Sequence, residues 1–189
     1  MEEKFYPCVF IMNDYSERDK DLDYIAYYRF KSLKSNLLYI VRVEVYRKHV
    51  YGVKFYLKKM NFSSRKYSFM TNTHEPRTII YTIFKLMKEI LQTDSLASFM
   101  FVGNADEGKS YYMTRRYRFY SQMVRNSISD RYFSHIISDD VSLYILLNKL
   151  NMEQEPNLQD SVTNEFFSRF ILEDTHLDYS GTQINLNRY

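Results

Sequence analysis

Residues 37–58, LLYIVRVEVYRKHVYGVKFYLK, decide the fold. In 37–46, Tyr39, Val41, Val43 and Val45 fall on one side of an extended chain, and Ile40, Arg42, Glu44 and Tyr46 on the other. Arg47, Lys48 and His49 make a turn. On the return, Tyr51, Val53, Phe55 and Leu57 face one way, and Gly52, Lys54, Tyr56 and Lys58 the other. Successive side chains of a strand point to opposite faces. Period-two alternation in two adjoining runs therefore predicts an antiparallel hairpin with one buried and one solvated face.

The rest of the chain is read outward from that hairpin. Upstream, Tyr6–Met12 and Tyr24–Phe30 are apolar runs of strand length, joined by the polar residues 13–23. Downstream, Tyr67–Met70 reads as a further short strand. A helix then opens at Pro76, whose missing N–H suits a first turn, and runs to about Gln92. Ile79, Ile80, Ile83, Phe84, Met87, Ile90 and Leu91 recur in it at helical spacing. Leu96–Val102 reads as a buried central strand. The loop Gly103–Ser110 ends on a residue suited to cap a second helix, Tyr111–Asn126. At roughly 100° per residue that helix places Met113, Tyr117, Tyr120 and Val124 on one side. Arg115, Arg118, Gln122 and Arg125 lie on the other. Tyr132–Ile137 and Val141–Leu147 read as a last pair of strands about a turn at 138–140. The fold class is α+β: a single domain with a mixed, mainly antiparallel sheet flanked by two main helices, spanning 1–150. Residues 151–189 form an acidic extension with a short helix near 162–172.

Composition narrows the function classes. A chain of 189 residues, 45% of them hydrophobic, can bury a substantial core. With 19 Tyr, 14 Phe and no Trp, that core is rich in Phe and Tyr. Glycine occurs only at 52, 103, 108 and 181, which excludes a phosphate loop built on repeated glycines. The single cysteine, Cys8, has no internal disulfide partner, and no Cys or His cluster has metal-ligand spacing. No apolar run is long enough to cross a bilayer, and the opening MEEKFYPCVF lacks the basic start of a secretion signal. A reducing compartment, the cytoplasm, is expected.

The net charge of +3 conceals a basic block. Between 29 and 68 stand eleven Lys or Arg against one acid, Glu44, while residues 1–28 and 151–189 are both net acidic. On the expected wet face, Arg42, Tyr46, Lys54, Tyr56 and Lys58 mix cations with stackable rings, as nucleic-acid binders do. Two other readings stand beside that one. The face is solvated and discourages edge pairing, or it meets protein, including the acidic ends of this chain or of a second copy. The Arg115, Arg118 and Arg125 stripe binds an acidic partner or is the outer face of a packed helix. His49, His74, His135 and His176 have no ligand spacing, and Asp106-Glu107 and Asp139-Asp140 read as turn residues. No catalytic residue and no metal site are assigned.

The order hairpin, strand, helix, buried strand, helix and strand pair over residues 24–150 resembles that of the N-acetyltransferase (GNAT) fold. Residues 104–123, NADEGKSYYMTRRYRFYSQM, also look like those of small bacterial proteins with such a core. The resemblance implies coenzyme A-dependent acyl transfer, the coenzyme pyrophosphate lying on a glycine-containing loop ahead of a helix. Here that loop reads TNTHEPRT, residues 71–78. It has no glycine, it carries the acid Glu75, and Pro76 lacks an N–H. Arg77 is the cation it offers a coenzyme. The expected function is a non-enzymatic binding or regulatory module with no cofactor. It contacts an acidic protein surface or nucleic acid through the basic hairpin, involves no membrane, and can pair copies through the acidic ends. The alternative is a divergent acyltransferase using acetyl-coenzyme A.

Overall fold

The computed structural model describes residues 5–67, 73–105 and 110–175, with side chains as far as 166. Seven strands form one mixed sheet, in the order β1-β2-β3-β4-β5-β7-β6. The first four are β1 (Val9–Asp14), β2 (Leu22–Lys31), β3 (Leu38–Tyr46) and β4 (Val50–Leu57), an antiparallel meander. The β3–β4 register pairs Tyr39 with Leu57 and Tyr46 with Val50, so the alternation of the sequence is realised residue for residue. A 3-10 turn (Lys58–Met60) leaves β4, and α1 (Pro76–Thr93) returns the chain across the sheet. β5 (Ser98–Val102) therefore runs parallel to β4. Next come α2 (Arg115–Ser127) and the antiparallel pair β6 (Phe133–Ser138) and β7 (Leu143–Asn148). Two helices end the described chain, α3 (Lys149–Gln154) and α4 (Leu158–Thr175).

Each face of the sheet is covered. On one, Ile79, Ile83, Leu86, Met87 and Ile90 of α1 pack on Val41, Val43 and Val53. On the other, Leu158, Val162 and Phe166, spaced one helical turn apart along α4, join Ile40, Tyr46, Tyr56 and Ile145. The face of the hairpin expected to be solvated is thus largely covered: Ile40, Glu44, Tyr46 and Tyr56 are buried, and Arg42, Lys54 and Lys58 half-buried. The first described part of the acidic extension packs on the sheet through Leu158, Val162 and Phe166, so its apolar stripe begins ahead of the expected helix. The apolar positions beyond 166 lie outside the described side chains.

Two other boundaries differ from expectation. The second helix begins at Arg115 with Thr114 as its N-cap, whereas the Oγ of Ser110 accepts from the N–H of Tyr112 in a local turn. Residues 111–114 are instead fastened to the β6–β7 turn. There Met113 N–H donates to the Asp139 carbonyl (2.9 Å), and Thr114 N–H donates to Ser142 Oγ (2.9 Å). Met113 and Ser142 take left-handed backbone angles, φ 44° and 49°, to make that junction. The strand expected at Tyr67–Met70 lies beyond Tyr67 outside the described residues, and Tyr67 itself is in a turn. Among the described residues no helix is long and apolar enough to cross a membrane.

Candidate ligand-binding cleft

Burial of the hairpin's second face changes what its charges can do. Arg42 and Lys54 stand directly opposite each other in the β3–β4 register, an arrangement that repels unless bridged. Glu44 bridges them. Its Oε1 accepts from Arg42 Nε (3.1 Å) and Lys54 Nζ (2.9 Å), and its Oε2 accepts from the Tyr46 hydroxyl (2.9 Å). Arg42 turns its outer nitrogens to Glu17, at 2.7 Å for the closer pair. Burial alone would raise the Glu44 pKa, but Lys54 and Arg42 outweigh it and hold the carboxyl below its ordinary range. Tyr56 donates its hydroxyl to Asn61 (2.8 Å). At the rim, Lys48 reaches Glu155 (3.9 Å) ahead of α4. Arg42, Tyr46 and Lys54 thus engage acids of the same chain, Glu17 among them from the acidic N-terminal region. Lys58 lies half-buried in the turn after β4.

The opening in the molecule lies beside this network. β4 and β5 pair only at Val50 with Ser98, Tyr51 with Phe99, and Gly52 with Met100, and then part. Gly52 is the last residue of β4 paired with β5, and its open side is filled by the side chains of Met100 and Glu44. A Cβ at 52 would stand 2.9 Å from Met100 Cε and 3.1 Å from Glu44 Oε2. Beyond it, the Tyr120 ring of α2 lies between Phe55 of β4 and Phe101 of β5, with centroids 6.0 and 5.9 Å away. This ring packs against both strands where their pairing has ended. Burial pushes its hydroxyl up to about 12, so it is protonated at neutral pH.

A cavity of about 320 Å³ opens beside the gap, between β4, the β4–α1 connection, α1 and α2, walled by Tyr39, Phe55, Tyr56, Tyr67 and Phe119. It meets a narrower chamber, lined by Phe84, Met87, Phe101 and Lys54, at Phe55, Tyr67, Ile80, Arg116 and Tyr120. Cations mark the outer part: Arg115 and Arg116 from the first turn of α2, and Lys66 and His74 from the β4–α1 connection. Arginine in a first turn opposes the helix dipole, so these two add nothing to the helix itself.

The start of α2 is held close to β5. The Thr114 hydroxyl donates to the Gly103 carbonyl (2.6 Å) and accepts from Tyr117 N–H (3.2 Å). A Cβ at Gly103 would stand 2.4 Å from that of Tyr117, so only glycine permits the approach. Arg116 Nη1 donates to the Asn104 carbonyl (2.9 Å), which holds the guanidinium along the cleft wall.

Of the residues singled out from the sequence, Tyr56, Lys54 and Arg115 border the cleft. Arg118 is exposed on the outer side of α2, whereas Arg125, also exposed, reaches back to the Tyr144 hydroxyl of β7. Arg77 is exposed on the first turn of α1, outside the cleft lining. Glu75, which would repel a diphosphate at that loop, is buried and turned inward. It accepts from the hydroxyls of Tyr6 and Ser32, both at 2.6 Å, and these bonds hold its pKa down against burial. Lys66, Tyr67, His74 and Arg116 escaped notice as cleft residues, because nothing local announces a gap between two strands forty residues apart. The position of Tyr120 among the inward residues of α2 was the available signal. Two histidines are structural. His49 Nδ1 meets Asp94 (2.8 Å), which also accepts from Tyr51, and His135 Nδ1 meets the Tyr144 hydroxyl (2.7 Å). Among the described residues no cluster of potential ligands could hold a metal ion. Compared with protein-family models, curated proteins and solved structures, the chain matches none of them.

Proposed function

We propose that this chain is a binding module whose site is the β4/β5 cleft, and that it takes a small ligand with an acidic end and a slender apolar body. The observation that carries the reading is the parting of two parallel strands after three paired residues, with an aromatic chamber in the gap that opens at Arg116 into a larger cavity bordered by Arg115 and Arg116. An anionic group suits Arg115, Arg116, Lys66 and His74. The apolar body suits the chamber between Phe55, Phe84 and Phe101. The basic hairpin is a poorer contact surface, because Arg42 and Lys54 already hold buried carboxylates.

The element order read from the sequence resembles that of the N-acetyltransferase fold, and on that reading a coenzyme A thioester is a ligand with the required shape and charge. The buried Glu75 removes one objection to that assignment. The absence of glycine in 71–78 remains a difference, so the acidic end is placed on the α2 arginines rather than on that loop. The test is thermal denaturation with and without acetyl-coenzyme A. Ligand at a hundred times its Kd stabilises the fold by about 2.7 kcal/mol. That shift is expected in the wild type and reduced in Arg115→Ala and Arg116→Ala. No shift at millimolar ligand overturns the thioester assignment. An equal shift in both variants overturns the placement of the acidic end.

A further inference from the structure

The β4–α1 connection places one lysine unlike the others. Lys66 lines the large cavity, and its amine lies 5.1 Å from the centre of the Tyr56 ring and 5.2 Å from that of Tyr67, both of which line the same space. No carboxylate of the described residues forms an ion pair with it. The charges around it are largely taken up with one another. On the sheet side stand Arg42 and Glu44 of β3, Lys54 of β4 and Glu17 of the β1–β2 connection, joined in the network already described. On the cleft side stand Arg115, Arg116 and His74. The two ring faces favour an ammonium. Burial, and after it Arg42 and Lys54, act against the charge and move the Lys66 pKa downward. An amine so placed, desolvated beside other cations in a cavity, is the arrangement that makes lysine a nucleophile toward carbonyl carbon.

We propose that Lys66 is the reactive amine of the cleft and forms an imine with an aldehyde that carries an anionic group. The neutral Nζ donates its lone pair to the carbonyl carbon, and the carbonyl π pair moves to oxygen, which takes up one of the two nitrogen protons. The resulting carbinolamine loses its hydroxyl with the remaining nitrogen proton as water, leaving C=N; nothing is oxidised or reduced. Arg115 and Arg116 hold the anionic group, and Tyr56 and Tyr67 flank the aldehyde carbon. The proposal rests on the cleft being the ligand site, but not on the ligand being a thioester.

Pyridoxal 5′-phosphate, an aromatic aldehyde with a phosphate, is the probe. The full chain is incubated with it at neutral pH, reduced with borohydride, digested, and the lysine adducts are quantified by mass spectrometry. Lys20, whose side chain is 88% exposed, is the internal reference. The expected result is a Lys66 adduct more abundant than that at Lys20, lost in Lys66→Arg and reduced in Arg116→Ala, with both variants folded by circular dichroism. A ratio of Lys66 to Lys20 at or below one overturns the proposal, as does a ratio unchanged in Arg116→Ala. Preferential labelling of Lys66 without acetyl-coenzyme A binding sustains this proposal and removes the thioester assignment. The reverse pair of results does the opposite.

Discussion

Replacing Glu44 by glutamine tests whether the basic block is neutralised inside the molecule. Glu44 is 4% exposed and accepts from three donors, Arg42, Lys54 and Tyr46. Glutamine keeps the volume, but removes the charge and one acceptor oxygen. Arg42 retains Glu17, whereas Lys54 loses the carboxylate it holds. Breaking a fully buried pair costs about 3–5 kcal/mol. The Lys54 side chain is 27% exposed, so solvent screens part of its lost attraction, and about 2–4 kcal/mol is the expected loss. In a domain of this size that lowers Tm by roughly 5–15 °C. The pH dependence gives a second signature. Folding lowers the Glu44 pKa, so its contribution is complete above the ordinary glutamate value of 4.5 and is lost as pH falls through the folded value. Glutamine does not titrate, so the gap between the two proteins narrows in acid. Urea denaturation followed by far-ultraviolet circular dichroism, at pH 7 and at several values below 4.5, measures both. A loss under about 0.5 kcal/mol at pH 7, the usual size for an exposed pair, would refute the reasoning.

Other substitutions probe the elements around the cleft. Gly103→Ala drives a methyl group into the backbone and Cβ of Tyr117, and is expected to destabilise by about 3 kcal/mol and to weaken ligand binding, measurable by denaturation and calorimetry. Phe166→Ala removes the ring packed edge-on against Tyr46 at 4.8 Å, and a loss of about 3–5 kcal/mol is expected if α4 is integral to the domain. A change under 1 kcal/mol in denaturant would mean that α4 is dispensable.

Local periodicity exposed the strands and helices because each is encoded by neighbouring residues. The β3–β4 hairpin followed from the alternation of Tyr39 to Leu57, and α1 from Pro76 and the isoleucine spacing. What covers a face is not local. The polar positions Arg42, Glu44 and Lys54 have the pattern of a wet strand. Glu44 is buried and Arg42 and Lys54 are half-buried because one carboxylate bridges two cations and Glu17 meets Arg42, while α4, more than a hundred residues away in the chain, covers the neighbouring Tyr46 and Tyr56 with Leu158, Val162 and Phe166. The start of α2 was misplaced for a similar reason, since Ser142 and Asp139 hold 111–114 out of the helix. The cleft was the least legible feature. It arises where β5 leaves β4, and the side chain that packs on both strands there, Tyr120, comes from a third element.

The most direct test of the account is a crystal structure grown with saturating acetyl-coenzyme A. Continuous ligand density between β4 and β5, with its acidic end on Arg115 and Arg116 and its thioester arm beside Tyr120, is the predicted result. Ligand bound elsewhere on the surface, with the cleft beside Tyr120 vacant, would contradict the central claim that this cleft is the functional site.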